Sequence, residues 1–530
     1  MPDGINIPSI TAVMHLPKEL PYPLTKFYGI VQNVLQQYNQ SLELILLDQL
    51  LDDSIENEIS RMNTEGNSVV FIREQFSSRG GWLNASRARA QGDYLLYIDN
   101  SSAVVNLKRA AASTFLLTAE RNPDAGMIYA DYEIVQKKKK VEEVHLLKHH
   151  AGRVRDNQDY GLVSLFKKSS LSDCGGFDES LKYNTLYDIH LKLSENAQLI
   201  HISNRYAGSL YQVEAEDKDH NVFDYLLAGK ESQIEAENVL TAHLKRTKCY
   251  LTPGRFYKNR PDPAEETNLD ASVIIPVNNR PDFISTAIES VLNQTVQNIE
   301  IIVAVNGGPE DPTNKTVKGY MPGGKNYKPN KPEVCLIPID INNIGLCLNL
   351  GAKMARGKYY VQLDSDDRLK TNAIEKILEL FDDDPKIGIV IGSYEVWEMD
   401  DKSGKLSRVE SIPVVTHNEW TEENGRNNLL RINGAGAPRA IPISVIKEIG
   451  YFGMNDEPYA RNYGEDYEMV LKISEKHRVG RIWDPIYEVI RHKGGTDHNI
   501  DTETIIRNDE AKDHMRLQAL NRRKTMNQKP

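Results

Sequence analysis

The chain has 530 residues, 40% hydrophobic and 26% charged, with a net charge of -11 and a pI near 5.7. At about 100–200 residues per domain, that length allows two to four domains, and the acidic balance argues against nucleic acid as the main partner. The four cysteines, Cys174, Cys249, Cys335 and Cys347, have no Cys-x-x-Cys spacing, so they suggest neither zinc nor redox chemistry and fit a reducing compartment. No basic segment leads into an apolar run at the start, and no stretch approaches the ~18 apolar residues of a membrane span. A cytoplasmic location, touching at most the inner membrane face, is the expectation.

Residues 1–212 alternate short apolar runs with helical patterns. Ile10–Met14, Leu42–Leu47, Val69–Ile72 and Asp93–Ile98 are candidate strands, and a helix is predicted from about Phe27 to Gln37. Continuous apolar strands separated by helices imply a parallel sheet covered on both faces. The run Lys137–Lys140 reads as a solvated tip. Residues 213–269 read as a helical connector and a linker, with Pro253, Gly254, Pro261 and Pro263 near its end. Residues 270–500 form a second α/β unit. Pro281 before FISTAIESVLNQT places proline in the first turn of a helix. NIEIIVAV is a strand, the Gly/Pro/Asn/Lys-rich stretch from Gly307 to Glu333 a long mobile loop, Val334–Ile337 a strand and NNIGLCLNLGAKMARG a helix. Residues 501–530 form a helix, from about Glu503 to Gln518, and a basic tail, Arg522-Arg523-Lys524. A solvated helix end is the favoured reading of that tail. Weak contact with an anionic membrane, at about 1 kcal/mol per basic residue, is the alternative.

The sequence repeats itself, and repeats are sought early because they set the architecture. GGWLNASRARAQGDYLLYIDNSS at Gly80 resembles GLCLNLGAKMARGKYYVQLDSDD at Gly345. Gly80, Leu83, Asn84, Ala90, Gly92, Tyr94 and Asp99 align with Gly345, Leu348, Asn349, Ala355, Gly357, Tyr359 and Asp364. YNTLYDIHLKLSE at Tyr183 resembles YGEDYEMVLKISE at Tyr463. The fold class expected is therefore α/β, with two tandem Rossmann-like units.

The chemistry concentrates around VQLDSDDRL. Asp364, Asp366 and Asp367 follow a predicted buried strand, Lys358–Leu363, with a helical pattern expected from Leu369. Ligands of open α/β sheets bind beyond the strand carboxyl ends. Carboxylates at alternate positions can reach one hard divalent cation, which can hold a diphosphate.

Four blocks in order, SVIIPVNNRPDFISTAIESVLNQT, NIEIIVAVNGG, ARGKYYVQLDSDDRL, and GEDYEMVLKI followed by RHKGG, resemble the family-2 glycosyltransferases. These are inverting enzymes with the nucleotide-diphosphate-binding GT-A fold. The resemblance covers about residues 270–500, and 10–212 more faintly. It implies that Pro276, Asn278 and Arg280 line the donor pocket, where Arg280 can reach a phosphate. Asn306 stands where the family usually has an acid reading the base. Its amide can still pair with the edge of uracil, which leaves a UDP-sugar as the expected donor. Asp364 is implied as ribose contact and metal ligand, Asp366 as metal ligand, and His492 as completing the metal shell, with His498 as the competing histidine. Imidazole favours Mn²⁺ over Mg²⁺ as the divalent cation. Asp466 is the implied general base, which takes the acceptor hydroxyl proton. Glu465 is an acceptor contact, and Gly434, in Asn433-Gly434-Ala435-Gly436, lies in a loop near the acceptor. The acceptor is a glycan, a lipid-linked sugar or a protein.

The first copy departs at these positions. Asn100-Ser101-Ser102 replaces Ser365-Asp366-Asp367, Thr185-Leu186 stands for Glu465-Asp466, and Tyr211-Gln212 is matched with Arg491-His492. It reads as a non-catalytic relative. The rival readings of the whole chain are a nucleotidyltransferase, which would usually show a Gly-rich basic loop after the first strand, and a non-catalytic carbohydrate-binding or scaffold protein.

Overall fold

A computed structural model describes residues 10–37, 42–50, 52–63, 67–136, 141–205, 208–214, 229–264, 267–400, 403–416, 424–432, 434, 436–454, 463–492 and 501–528. The chain divides into two compact units, Met1–Thr247 and Lys248–Pro530. The predicted tip Lys137–Lys140 lies outside the described residues.

In the first unit, seven strands run in the order Gln198–Ile202, Ala125–Ala130, Val163–Lys167, Tyr94–Ile98, Ile10–Leu16, Glu43–Asp48 and Ser68–Ile72. All are parallel except Val163–Lys167, which is antiparallel to both neighbours. The central strands are buried on both faces, as their continuous apolar runs require. Phe27, Ile30, Val31 and Val34 of the Leu24–Leu35 helix pack on one face of the sheet, and Trp82 and Leu83 of the Arg79–Arg89 helix on the other. A smaller sheet joins Val104–Leu107, Tyr211–Glu214, Tyr132–Val135 and Val141–Val144. The Lys230–Arg246 helix lies against the Thr185–Asn196 helix, where Glu235 accepts from the amides of Lys182, Tyr183 and Asn184.

The second unit has the order Glu333–Pro338, Ile299–Val305, Leu269–Val277, Gly357–Gln362, Arg439–Pro442, Ile387–Met399 and Arg478–Arg491, with Arg439–Pro442 again the antiparallel strand. Strand order and direction are thus the same in both sheets. The two long strands continue past bulges into a smaller sheet, flanked by Arg368–Leu369 and Leu406–Arg408.

Polar contacts repeat with the strands. Thr11 Oγ1 donates to Glu43 over 2.6 Å and accepts from the Gly92 amide over 3.0 Å; Ser272 Oγ does the same with Glu300 and Gly357, at 2.6 and 3.0 Å. Asn84 and Phe177 exchange amide hydrogen bonds, as Asn349 and Phe452 do. A Cβ on Gly80 would meet the Asp178 carbonyl oxygen at 2.4 Å, and one on Gly345 the Gly453 oxygen at 2.1 Å, so neither position tolerates a side chain.

Three expectations are corrected. Leu369 does not start a helix: Arg368 and Leu369 pair with Glu488 and Tyr487, and the helix begins at Ala373. The Gly307–Glu333 stretch is not one open loop, because Asp311 accepts from the amides of Asn279 and Thr313 and a short helix, Thr313–Lys318, follows. The C-terminal helix is longer than expected, Thr502–Gln528, and packs on the Glu465–Lys476 helix. Its basic end is turned inward: Arg522 Nε binds both oxygens of Glu475 at 2.9 Å, and Arg523 is fully buried and donates to the Arg426 carbonyl. Lys524 is the exposed cation of the three. No helix among the described residues is long and apolar enough to cross a membrane.

Candidate active site

The Gly357–Gln362 strand is central and parallel, so the turn after it opens at the carboxyl edge of the sheet. That turn carries Asp364, Asp366 and Asp367, and each does something different. Asp367 is buried and accepts from the Ile490 amide over 2.8 Å. It locks the turn to the Arg478–Arg491 strand, whose next residue is His492. Burial first, and then Asp364 and Asp366 beside it, raise the Asp367 carboxyl well above its ordinary range. The Asp364 amide donates to the Tyr487 hydroxyl over 3.1 Å. Burial also raises Asp364, against the pull of Arg439 and with the repulsion of Asp366.

Asp366 Oδ2 lies 3.0 Å from His492 Nε2 and accepts from Arg280 Nη1. Arg280 Nη1 is 3.3 Å from the same histidine nitrogen. The imidazole stacks on Phe283, ring centroids 4.1 Å apart. The first loop of the unit, the Asp-x-Asp turn and the end of the last strand therefore converge on one point, although 86 and 126 residues separate Asp366 from Arg280 and His492. A carboxylate oxygen and an imidazole nitrogen at this spacing are a ligand pair that suits a divalent cation of the Mn²⁺ type. Among the described residues, no group of three or more His, Cys, Asp or Glu side chains is arranged to hold a metal. His498 lies outside the described residues.

The loop holding Arg280 is itself held. Asn279, at φ 48°, donates its amide to Asp311, and the Arg280 amide donates to Thr313 Oγ1 over 2.9 Å. Pro276 is buried within the strand, in register with Ala304, and Asn278 is exposed. Asn306 is buried at the end of the neighbouring strand. Its amide nitrogen donates to Asn342, and its Oδ1 has no hydrogen-bond partner among the described residues.

The second cluster opens the Glu465–Lys476 helix. Gly464 caps it at φ 88°, a conformation that favours glycine. Asp466 Oδ2 stands 3.2 Å from Arg439 Nη1, which also donates to the Gly436 carbonyl over 2.9 Å. Burial alone would push Asp466 up, but Arg439, Lys512 and the Tyr467 amide more than offset it and hold the group below its ordinary value. Its neighbour Glu465 is pushed up to about 8, by burial and then by the Asp466 charge. At neutral pH the pair is thus one carboxylate and one carboxylic acid. Among the described residues, nothing lies within 4 Å of the space a Cβ on Gly434 would take. Asn433 and Ala435 lie outside the described residues.

Sequence reasoning missed Arg439, Tyr487, Phe283 and Lys512, and gave Asp367 no role. Arg439 carried no motif: it is one arginine after a Gly/Ala/Pro stretch, and only the fold sets it between Asp364 and Asp466. One match between the units also shifts. Leu107 pairs with Tyr211 as Leu369 pairs with Tyr487, so Tyr211 corresponds by register to Tyr487 rather than to Arg491. The counterpart of His492 then falls among 215–228, outside the described residues.

Residues 272–445 match the family model described as Glycosyl transferase family 2. An uncharacterized glycosyltransferase of Rickettsia felis is 24% identical over 496 residues, covering 89% of this chain and 78% of the relative. The uncharacterized glycosyltransferase RP339 of Rickettsia prowazekii is 33% identical over 202 residues, 38% of this chain and 57% of the relative. The chondroitin synthase of Escherichia coli is 31% identical over 169 residues, 31% of this chain and 23% of the relative. Among solved structures, residues 1–349 of S. aureus TarS in complex with UDP-GlcNAc show 17% identity and a TM-score of 0.35, covering 48% of this chain and 72% of that one.

Proposed function

We propose that the second unit, whose residues 272–445 match the glycosyl transferase family 2 model, is a metal-dependent, inverting transferase of that family that moves a sugar from a UDP-sugar to a hydroxyl of a glycan, lipid-linked or protein acceptor. The observation that carries this reading is the convergence of Asp366, His492 and Arg280 beyond the strand end, in the same unit as an ionised Asp466 paired with Arg439. Asp366 and His492 would hold the cation, with Asp364 as ribose contact or further ligand. When bound, the cation supplies positive charge to the diphosphate. Arg280, now on Asp366, can turn to the same phosphates. The Asn306 carboxamide, at the end of its strand with an unpartnered Oδ1 among the described residues, would pair with the N3–H and carbonyl edge of uracil.

The acceptor oxygen attacks the anomeric carbon as the bond from that carbon to the diphosphate oxygen breaks. The electron pair leaves on the phosphate, and the hydroxyl proton passes to Asp466. One displacement inverts the anomeric centre and needs no enzyme nucleophile. Ionisation favours Asp466 over Glu465 as the base, since Glu465 is protonated below about 8. Glu465 can then donate a hydrogen bond to the acceptor sugar.

The first unit is read as a second copy of the same fold without transfer chemistry. The shared strand order and the repeated Thr11/Ser272 and Asn84/Asn349 contacts support duplication. Leu186, at the position of Asp466 in a helix of the same length, supports the loss of catalysis, since it cannot accept a proton. The test is donor consumption by the full chain across a panel of nucleotide sugars, with Mn²⁺ and with EDTA. Metal-dependent release of UDP from one donor supports the reading, and no turnover of any donor overturns it.

A further inference from the structure

The first unit keeps a cavity where the second has its active site. It lies at the carboxyl end of the Tyr94–Ile98 strand, beside Asp99, the aligned counterpart of Asp364. The loop from Arg153 to Leu162 forms one wall. Leu186, Tyr187 and His190, from the first turns of the Thr185–Asn196 helix, form the other. That helix corresponds to the one that opens with Glu465 and Asp466. The volume is about 220 Å³.

Size and charge narrow the occupant. The volume lies below the roughly 300–1,000 Å³ of pockets that take drug-sized ligands, so it suits one ring and not a nucleoside diphosphate sugar. Three carboxylates, Asp99, Asp156 and Asp159, and two guanidiniums, Arg153 and Arg155, line it, and Arg79 binds Asp99 over 3.1 Å. The count is three negative against three positive, so the cavity favours neither a phosphate nor a cation. His190 is held far down in pKa, to about 3, by burial and by His149, and so adds no charge at neutral pH. The lining carries both acceptors and donors with no excess of either charge, and Leu162, Leu186 and the Tyr187 ring supply apolar surface. Hydroxyl groups that each donate and accept, on a ring with apolar C–H faces, match that lining.

We propose that this cavity binds one uncharged sugar ring, free or within a glycan, and holds it without transfer. The proposal rests on reading the first unit as non-transferring, but its test does not depend on turnover. Methyl glycosides of the common neutral hexoses and N-acetylhexosamines are titrated into the full chain by calorimetry, with hydrogen exchange followed on the same samples. The expected result is saturable binding of at least one glycoside, with slowed exchange in peptides from 153–162 and 185–191. Leu186→Trp, which fills the cavity, and Asp99→Ala, which removes an acceptor, each weaken that binding at least tenfold. If Leu186→Trp does not fold, Asp99→Ala decides. No saturable glycoside, protection confined to the second unit, wild-type affinity in the folded variants, or tighter binding of inorganic phosphate at those peptides would each overturn the proposal. Failure of the transferase reading would show separately, as absence of UDP release from every donor.

Discussion

Arg439 Nη1 stands 3.2 Å from Asp466 Oδ2, and the two groups come from different elements, the antiparallel strand and the first turn of the Glu465–Lys476 helix. The pair fixes the protonation of two adjacent acids. The guanidinium keeps Asp466 ionised, and that charge, added to burial, keeps Glu465 protonated. Asp466→Asn is nearly isosteric and cannot take a proton. It is expected to keep UDP affinity and to lose transfer by about 10²–10⁴-fold, the usual contribution of a general base. Single-turnover transfer and calorimetry with UDP check the two halves. A variant within a few-fold of wild type would remove Asp466 from the mechanism.

Glu465 gives a pH prediction. Its folded value of about 8 lies above its ordinary value of 4.5. The unfolded chain releases this proton first, so the native state binds more protons between the two values. Stability from this group is full below about 4.5 and is lost as pH rises through about 8. The loss is on the order of a few kcal/mol. Glu465→Gln should flatten this part of the curve, read as thermal midpoint against pH. The same variant should remove any inflection near 8 in the acceptor KM. An unchanged pH profile would mean that Glu465 does not titrate in this range.

Much of the fold was legible because buried parallel strands write themselves as continuous apolar runs. Ile10–Leu16, Glu43–Asp48 and Tyr94–Ile98 lie where such runs stand. The glycines and asparagines aligned between the units also mark shared constraints, as Asn84 and Asn349 show by binding Phe177 and Phe452 alike. The site was legible where a short motif ends a strand, at Asp364 and Asp366. It was not legible where long-range register decides. Tyr211 and Tyr487 take corresponding places through strand pairing that a local match missed by several residues. Arg439 likewise carries no local pattern, and its role comes from the strand that brings it to Asp466.

Asp366→Ala removes the oxygen shared by Arg280 and His492. It should abolish the Mn²⁺-dependent part of UDP binding while the fold survives, because Asp367, not Asp366, ties the turn to the neighbouring strand. His492→Ala should act in the same direction and more weakly, since one ligand and its stacking on Phe283 are lost. Calorimetry of UDP with and without Mn²⁺ checks both. Unchanged metal dependence in Asp366→Ala would place the cation elsewhere.

The C-terminal helix holds the site from behind. Arg516 is fully buried, binds Asp513 at 2.7 Å, and donates to the carbonyls of Leu430 and Ile432, each at 2.9 Å. Arg516→Ala withdraws these donors from buried acceptors. A cost of roughly 3–5 kcal/mol is expected from breaking a buried ion pair, read as a lower denaturant midpoint. Arg516→Lys should recover only part of it, because an ammonium cannot reproduce the guanidinium fork. A loss below about 1 kcal/mol would put the pair in the range of exposed ion pairs.

The last prediction separates the two units. Both have an aspartate after the central strand, Asp99 and Asp364, but their surroundings differ. Asp99 is bound by Arg79 at 3.1 Å and by Ser101 Oγ at 2.5 Å, both groups of the first unit. Asp364 has Arg439, Asp366 and Asp466 among the charges that act on it. The helix that presents Asp466 in one unit presents Leu186 in the other. If transfer belongs to the second unit alone, Asp364→Ala in the full chain should reduce UDP release from every accepted donor nearly to background, and no donor should keep a metal-dependent rate. The first unit would be unaltered in that variant, so its own activity, if it had any, would remain. Metal-dependent turnover at about half the wild-type rate in Asp364→Ala would show a second working site and return the first unit to the enzymes.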